Sequence, residues 1–97
     1  MLLTKKSFKT THNQEFTIQF DTQTSVVAKL IEIKSINSQV VNVGQVEPFS
    51  LVFEIPGDVV YEQNTYSMEN KELGELDLFL VPIGADESGV RYEAIFT

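Results

Sequence analysis

The feature that most constrains the fold of this chain is an alternation of apolar and polar residues with a period of two. The segment EFTIQF places Phe16, Ile18 and Phe20 on one side of an extended chain, with polar residues on the other. Successive side chains of a β-strand point to opposite faces of the sheet, so this pattern is typical of a strand with one face in a core. A helix would need apolar residues three or four positions apart. The sequence therefore predicts an all-β protein.

The same pattern recurs along the 97 residues and predicts five or six strands. They are EFTIQF, VVAKLIEIKSI, FSLVFEI between two prolines, TYSME, ELDLFLVPI and VRYEAIF. VVAKLIEIKSI changes its apolar parity partway along, which indicates a bulge or a twist. ELDLFLVPI is apolar on both parities, as in a strand covered on two sides or in the wall of a barrel. QVVNVGQV fits either a short strand or an extended loop.

Two segments of the chain could form a short helix. KKSFK near the N-terminus favours one short helical turn, which Thr4 would cap and which would place Phe8 against the mouth of a barrel. Ser67 could cap a second helix ending at Gly74, but that helix would offer a core little beyond Met68 and Leu73. A hairpin with the turn NKELG is the better interpretation.

A small antiparallel barrel, or a barrel-like sandwich, follows from this strand count. Closing the sheet removes the exposed edges that invite unwanted pairing. We expect residues 1–97 to form a single domain, since this length buries enough surface for one core.

The charge distribution limits the classes of partner. The formal net charge of -7 predicts that nucleic acid is not a partner, because phosphate binding needs a surface rich in lysine and arginine. Residues 1–34 nevertheless carry five lysines against three carboxylates, whereas residues 35–97 carry two basic residues against eleven carboxylates. This asymmetry could steer head-to-tail association of copies, or folding could simply interleave the two parts.

Compartment and membrane association follow from what the sequence lacks. Its apolar runs are far shorter than the roughly 20 residues of a membrane-spanning helix, so no membrane partner is predicted. The first residues show no apolar signal-peptide core, which favours a cytoplasmic location or export by a route that uses no such signal. Cysteine is absent, which excludes disulfides and thiolate metal ligands.

The acidic segment GADESG resembles a calcium-binding loop only superficially. An EF-hand needs a bidentate glutamate at the twelfth position, which counted from Asp86 is Thr97, and Gly89 comes too early for its central glycine. Turn chemistry explains the segment instead. Gly84 and Gly89 can adopt positive φ, and Asp86 and Ser88 can bond to nearby backbone groups.

The remaining polar residues do not form a recognisable catalytic set. Four acidic residues around the turn NKELG fit the solvated face of its hairpin, namely Glu69, Glu72, Glu75 and Asp77. His12 is the single histidine and lies in a polar loop. The chain has no GxSxG elbow and no GxxxxGK phosphate loop. We therefore predict no enzyme activity, and no catalytic, metal-binding or cofactor-binding residues.

Two short regions are the best candidates for contact with a protein partner. The N-terminal segment combines lysines with one apolar anchor, which could dock on a second copy or another protein. Tyrosine offers a large contact area and a hydroxyl at low entropic cost. The predicted interaction surface comprises Lys5, Lys6, Phe8, Tyr61 and Tyr66.

The second half of the chain resembles a known family. EPFSLVFEIPG, TYSM and LGELDLFLVPIGADESGVRYEAIF are similar to small, largely uncharacterised bacterial domains of unknown function. Those domains share an F-S-L-x-F strand, a T-Y strand, F-L-V-P-x-G and a closing Y-E-A-x-F. The resemblance covers residues 47–97 and, loosely, the earlier strands EFTI and AKLIEI. It implies an association with phage-tail-collar-like proteins, whose genes often lie beside those of the family, and hence a structural or assembly role.

We therefore expect a non-catalytic protein-interaction or assembly module, accessory to a phage-tail-like structural protein. The alternative is a small-ligand or carbohydrate-binding domain that uses a tyrosine-lined surface or the mouth of the barrel.

Overall fold

The computed structural model describes residues 5–36 and 48–96. Its elements are α1 (Lys5–Lys9), β1 (Glu15–Gln19), β2 (Ser25–Ser35), β3 (Phe49–Ile55), β4 (Asn64–Asn70), β5 (Gly74–Asp86) and β6 (Gly89–Phe96). The KKSFK helix and the strands predicted from the sequence are confirmed. The proposed cap Thr4 and the segment QVVNVGQV lie outside the described residues.

The six strands form a closed antiparallel barrel in the order β1-β2-β3-β6-β5-β4, with β4 pairing back to β1. The barrel prediction is thus confirmed, and the sandwich alternative is wrong. Closure depends on a short ladder in which Thr17 lies opposite Glu69 and Gln19 opposite Ser67. No helix among the described residues has the length and apolar character needed to cross a bilayer.

The period-two pattern places the apolar side chains inside the barrel. On β3, the side chains of Phe49, Leu51, Phe53 and Ile55 are buried along one face. A phenylalanine buried in this way contributes about 1.5–3 kcal/mol relative to an exposed one. The interior of the barrel is therefore the hydrophobic core of the protein.

The change of parity within β2 is a bulge, as predicted. The β2–β3 register shifts between Leu30 and Glu32. The carbonyl of the intervening Ile31 lies 3.0 Å from His12 Nε2, which donates to it in the corresponding tautomer. His12 thus satisfies a backbone acceptor at the bulge.

The β4–β5 hairpin is held by Asn70, whose side chain is only 2% exposed. Its Oδ1 accepts hydrogen bonds from the backbone N–H groups of Glu72 (2.8 Å) and Leu73 (3.0 Å). Its Nδ2 donates to the carbonyl of Glu15 at 3.0 Å and so links the turn to β1. The predicted hairpin is confirmed, and the helix ending at Gly74 is not formed.

The acidic segment GADESG is a tighter turn than predicted, because β5 runs through Asp86 and β6 begins at Gly89. The carboxylate of Asp86 accepts the backbone N–H of Ser88 at 2.8 Å and Arg91 Nη2 at 3.0 Å. Gly89 adopts φ 134°, as expected. Gly84 instead lies within the strand, paired with Arg91, and its φ is not positive.

Aromatic residues fill both ends of the barrel. At the end where β3 begins, the ring of Phe8 from α1 lies 5.9 Å from that of Phe49 and 5.5 Å from that of Phe96. At the opposite end, Phe20 and Tyr61 stack with ring centroids 3.9 Å apart. The protein's own side chains therefore occupy both mouths of the barrel.

Candidate interaction surface

The five residues predicted to form an interaction surface do not lie together. Lys5, Lys6 and Phe8 belong to α1, which packs at the end of the barrel where β3 begins. Tyr61 follows β3 and Tyr66 lies in the first half of β4, both at the other end. The barrel separates these two groups, so they cannot form one contact patch.

Phe8 is not an exposed anchor. Its exposed fraction is 0%, and its ring packs against two other aromatic rings of the core. The predicted packing of Phe8 against the mouth of the barrel is confirmed, and its alternative role as the exposed anchor of a docking arm is wrong. Phe8 therefore contributes to stability and has no surface left for a partner.

The tyrosines also serve the domain itself. Tyr66 is 8% exposed, and its hydroxyl donates to the carbonyl of Glu62. Burial raises the pKa of the Tyr66 hydroxyl above its ordinary value, with smaller contributions from the nearby Tyr92 and Glu62. Tyr61 is half-buried, and its backbone N–H donates to the hydroxyl of Tyr92 at 2.9 Å. These contacts hold the backbone of Tyr61 and Glu62 against the barrel.

The two predicted lysines belong to a larger basic region. Lys5 Nζ donates to Ser35 Oγ, which places the start of α1 beside the end of β2. Lys6, Lys9 and Lys34 are exposed in the same region. We refer to Lys5, Lys6, Lys9 and Lys34 as the basic end.

The most exposed apolar side chains of β5 and β6 were missed by the sequence analysis. Phe79 on β5 is 52% exposed and Ile95 on β6 is 58% exposed. Both point outward, since Val81 pairs with Glu93 and the next outward positions on these strands are Phe79 and Ile95. We call these two residues the apolar wall. The signal that could have revealed it is the apolar character of ELDLFLVPI on both parities.

An open groove of about 550 Å³ lies beside the apolar wall, on the outer faces of β1, β4 and β5. Its polar lining comprises Thr17, Gln19, Ser67, Glu69, Glu75 and Asp77. Ser67 Oγ donates to the carboxylate of Asp77 at 2.9 Å, and Phe79 is the next outward residue on the same strand. We refer to Glu69, Glu75 and Asp77 as the acidic groove.

The acidic groove contains a directly opposed pair of like charges. Glu69 and Glu75 are register partners across β4 and β5. Like charges in this position destabilise a sheet, by about 0.2–1 kcal/mol on the scale of cross-strand pairs. The domain therefore keeps an arrangement that local stability disfavours.

Internal ion pairs leave both charged regions unneutralised. The two ion pairs among the described residues join Arg91 to Glu54 at 3.5 Å and to Asp86 at 3.0 Å. Within residues 5–36 and 48–96, neither the basic end nor the acidic groove contributes to an ion pair. In the same ranges, His, Asp and Glu side chains do not gather in threes as a metal site would require.

The fold and its exposed features define a small closed all-β barrel that presents an apolar wall beside an acidic groove. The chain belongs to the family described as a domain of unknown function, DUF6916, whose model matches residues 3–96. No curated protein and no solved structure is significantly similar to the chain.

Proposed function

We propose that the protein is a non-catalytic interaction and assembly module that binds another protein through the apolar wall. The observation that supports the proposal is the exposure of Phe79 (52%) and Ile95 (58%) on the outer face of the barrel. Large aromatic side chains are enriched in the centres of protein interfaces.

Leaving the side chains of Phe79 and Ile95 in water is unfavourable in free energy. Removing apolar surface from water contributes about 25 cal/mol per Å², so covering both side chains provides a driving force for association. The interior offers no comparable site, because Phe8 fills one end of the barrel and Phe20 with Tyr61 fills the other. The outer wall is therefore better suited to binding than the interior of the barrel.

The finer part of the proposal concerns setting and partner. We propose that the module acts in the cytoplasm and is accessory to a phage-tail-like structural protein. The support for this part is the resemblance of residues 47–97 to domains associated with phage-tail-collar-like proteins. A structural partner also suits a domain whose recognisable sequence pattern consists of core and turn residues.

Photo-crosslinking in the cells that produce the protein tests the proposal. p-Benzoylphenylalanine is placed at position 79, at position 95 and, as a control, at position 87 in the exposed turn between β5 and β6. We expect discrete protein adducts from positions 79 and 95, and none of the same size from position 87. The same set of adducts from all three positions, or no adduct from any, would contradict a specific interface.

A second candidate function is binding of a small polar ligand or carbohydrate. The observation that favours it is the groove itself, where hydroxyl, amide and carboxylate side chains lie beside an exposed aromatic ring. The groove thereby replaces the tyrosine-lined surface expected from the sequence. A thermal-shift screen against glycans and metabolites tests this candidate, because a specific ligand raises Tm by mass action. The variant Glu75→Gln should abolish the shift, whereas Glu87→Gln should not.

A further inference from the structure

We propose that the partner at the apolar wall is a second copy of this chain, docked head to tail with its basic end against the acidic groove. The inference rests on the proposed function and deepens it, because it names the occupant of the apolar wall and the direction of assembly.

The charges around the apolar wall disfavour a symmetric face-to-face pair. Asp77 precedes Phe79 on the outward face of β5, and Glu93 precedes Ile95 on the outward face of β6. A two-fold pair centred on the wall would bring two copies of this acidic surface together, and like charges brought together across an interface cost several kcal/mol. The wall therefore requires a partner whose charge is opposite.

The basic end of the same chain has the required charge. Lys6, Lys9 and Lys34 are exposed and take part in none of the ion pairs within the described residues. A lysine side chain also has a four-carbon stem that packs on apolar surface, and an ammonium group that is attracted to an aromatic face. The basic end can thus cover Phe79 while its charges approach the acidic groove.

The two regions are formed by different elements around one end of the barrel, since Gln14 in the loop after α1 bonds to Glu72 and Asn70 bonds to Glu15. The basic end is formed by α1 and the last residues of β2, whereas the groove is lined by β1, β4 and β5. Because no ion pair joins the two regions within the described parts of the chain, each is free to bind a neighbouring copy. An interface between two different surfaces repeats from copy to copy, which produces a ring or a filament.

The paired like charges of Glu69 and Glu75 fit this arrangement. Their repulsion lowers the stability of the isolated domain, and a lysine placed between them relieves it. Association of copies would therefore offset a cost that each separate copy bears.

Sedimentation velocity of the purified full chain tests the inference. We expect the weight-average mass to rise with protein concentration at about 0.01 M NaCl and to fall toward the monomer at about 1 M NaCl, where the Debye length shrinks from about 30 Å to about 3 Å. The variant Phe79→Ser should weaken association at least tenfold at either salt concentration.

Charge reversal gives the decisive comparison. Lys6→Glu with Lys9→Glu makes the basic end acidic, and Glu69→Lys with Glu75→Lys makes the groove basic. Each double variant alone should be monomeric, because its two surfaces now carry the same sign of charge. An equimolar mixture should associate again, since every junction between unlike variants pairs opposite charges. An unfolded variant could not produce this rescue, and Lys34→Glu provides a second test outside α1.

The matched control is Asp58→Lys with Glu87→Lys. It replaces two exposed carboxylates by two lysines, as the groove variant does, but at the opposite end of the barrel from α1. We expect the control to associate as the wild type does. Association that survives both reversals, or a mixture that stays monomeric, would overturn the inference.

Sedimentation and photo-crosslinking together distinguish self-association from binding of a different protein. A wild-type protein that stays monomeric at every concentration and at low salt would overturn self-association. Photo-crosslinks from position 79 to a different protein would then still support an interaction module. Failure of both experiments would contradict both proposals.

Discussion

At the scale of single residues, Gly89 is the position where the barrel tolerates no side chain. Its φ of 134° is one that other residues rarely adopt, and an added Cβ would lie 2.1 Å from the carbonyl oxygen of Ile55. We expect Gly89→Ala to lower the free energy of unfolding by about 3 kcal/mol or more, since strain and steric overlap add. Urea denaturation measures the loss.

Gly84 provides the matched control in the same hairpin. A Cβ at Gly84 would make an ordinary contact of 3.7 Å with Arg91 Nη2, and its φ is not positive. Gly84→Ala should change stability by less than about 1 kcal/mol. Equal losses for the two variants would show that the turn does not depend on the close approach of β6 to Ile55.

The carboxyl group of Asp86 should make stability depend on pH. Its hydrogen bond with the Arg91 guanidinium, aided by the backbone N–H of Ser88, lowers the pKa of Asp86 below the ordinary value of 3.8. A carboxyl group whose pKa is lower in the folded protein stabilises the fold above the unfolded value and loses that effect as the pH falls through the folded value.

The variant Asp86→Asn tests this linkage. At pH 7 it should be less stable than the wild type, and the difference should shrink as the pH falls below about 4. Urea denaturation across this range measures the difference, and an NMR titration of Asp86 in the intact protein and in a peptide of the hairpin gives the two midpoints. A midpoint in the folded protein at or above that of the peptide would contradict the expected sign.

At the scale of secondary-structure elements, the phenylalanines of α1 and β5 have exposures that the hydropathy of their sequence neighbours does not indicate. Phe8 lies in a polar, lysine-rich segment but is fully buried, whereas Phe79 lies in the most apolar strand but is 52% exposed. The same substitution at the two sites should therefore have different consequences.

We expect Phe8→Ala to lower the free energy of unfolding by about 3–5 kcal/mol, because it leaves a cavity beside Phe49 and Phe96. Phe79→Ala should change stability by less than about 1 kcal/mol while reducing association. Denaturation and sedimentation of both variants check the pair. A stable, non-associating Phe8→Ala variant would restore Phe8 as a contact residue.

The alternation of residues along a strand does not predict how exposed its outward-facing side chains are. β3 and β5 both carry apolar residues on their outward faces, yet Val52 on β3 is 6% exposed and Phe79 on β5 is 52% exposed. Alternation along a strand reports which side chains share a face. Coverage of that face depends on neighbouring parts of the molecule, which the strand's own residues do not encode.

At the scale of the whole molecule, the net charge of -7 destabilises the folded state, because the excess negative charges repel one another. Raising NaCl from about 0.01 M to about 1 M screens this repulsion and should raise Tm, measured at a protein concentration where the chain is monomeric.

Glu75→Lys should also raise stability, by about 0.2–1 kcal/mol, because it converts the opposed pair with Glu69 into an attractive one.

Glu87→Lys is the control for net charge. It changes the charge by the same amount in the exposed turn between β5 and β6. Its Tm should rise less than that of Glu75→Lys, and its dependence on salt should stay closer to that of the wild type. Equal effects of the two variants would mean that net charge alone, and not the opposed pair, governs the response.

The sequence by itself determined the strands, the hairpin turns and the all-β class, because these depend on local alternation and on the backbone preferences of glycine and asparagine. Only the tertiary structure decided which apolar residues are covered. Ring closure pairs Thr17 with Glu69, residues far apart in the chain, and α1 packs across one end of the barrel. These contacts between distant segments bury Phe8 and Tyr66 and leave Phe79 in water.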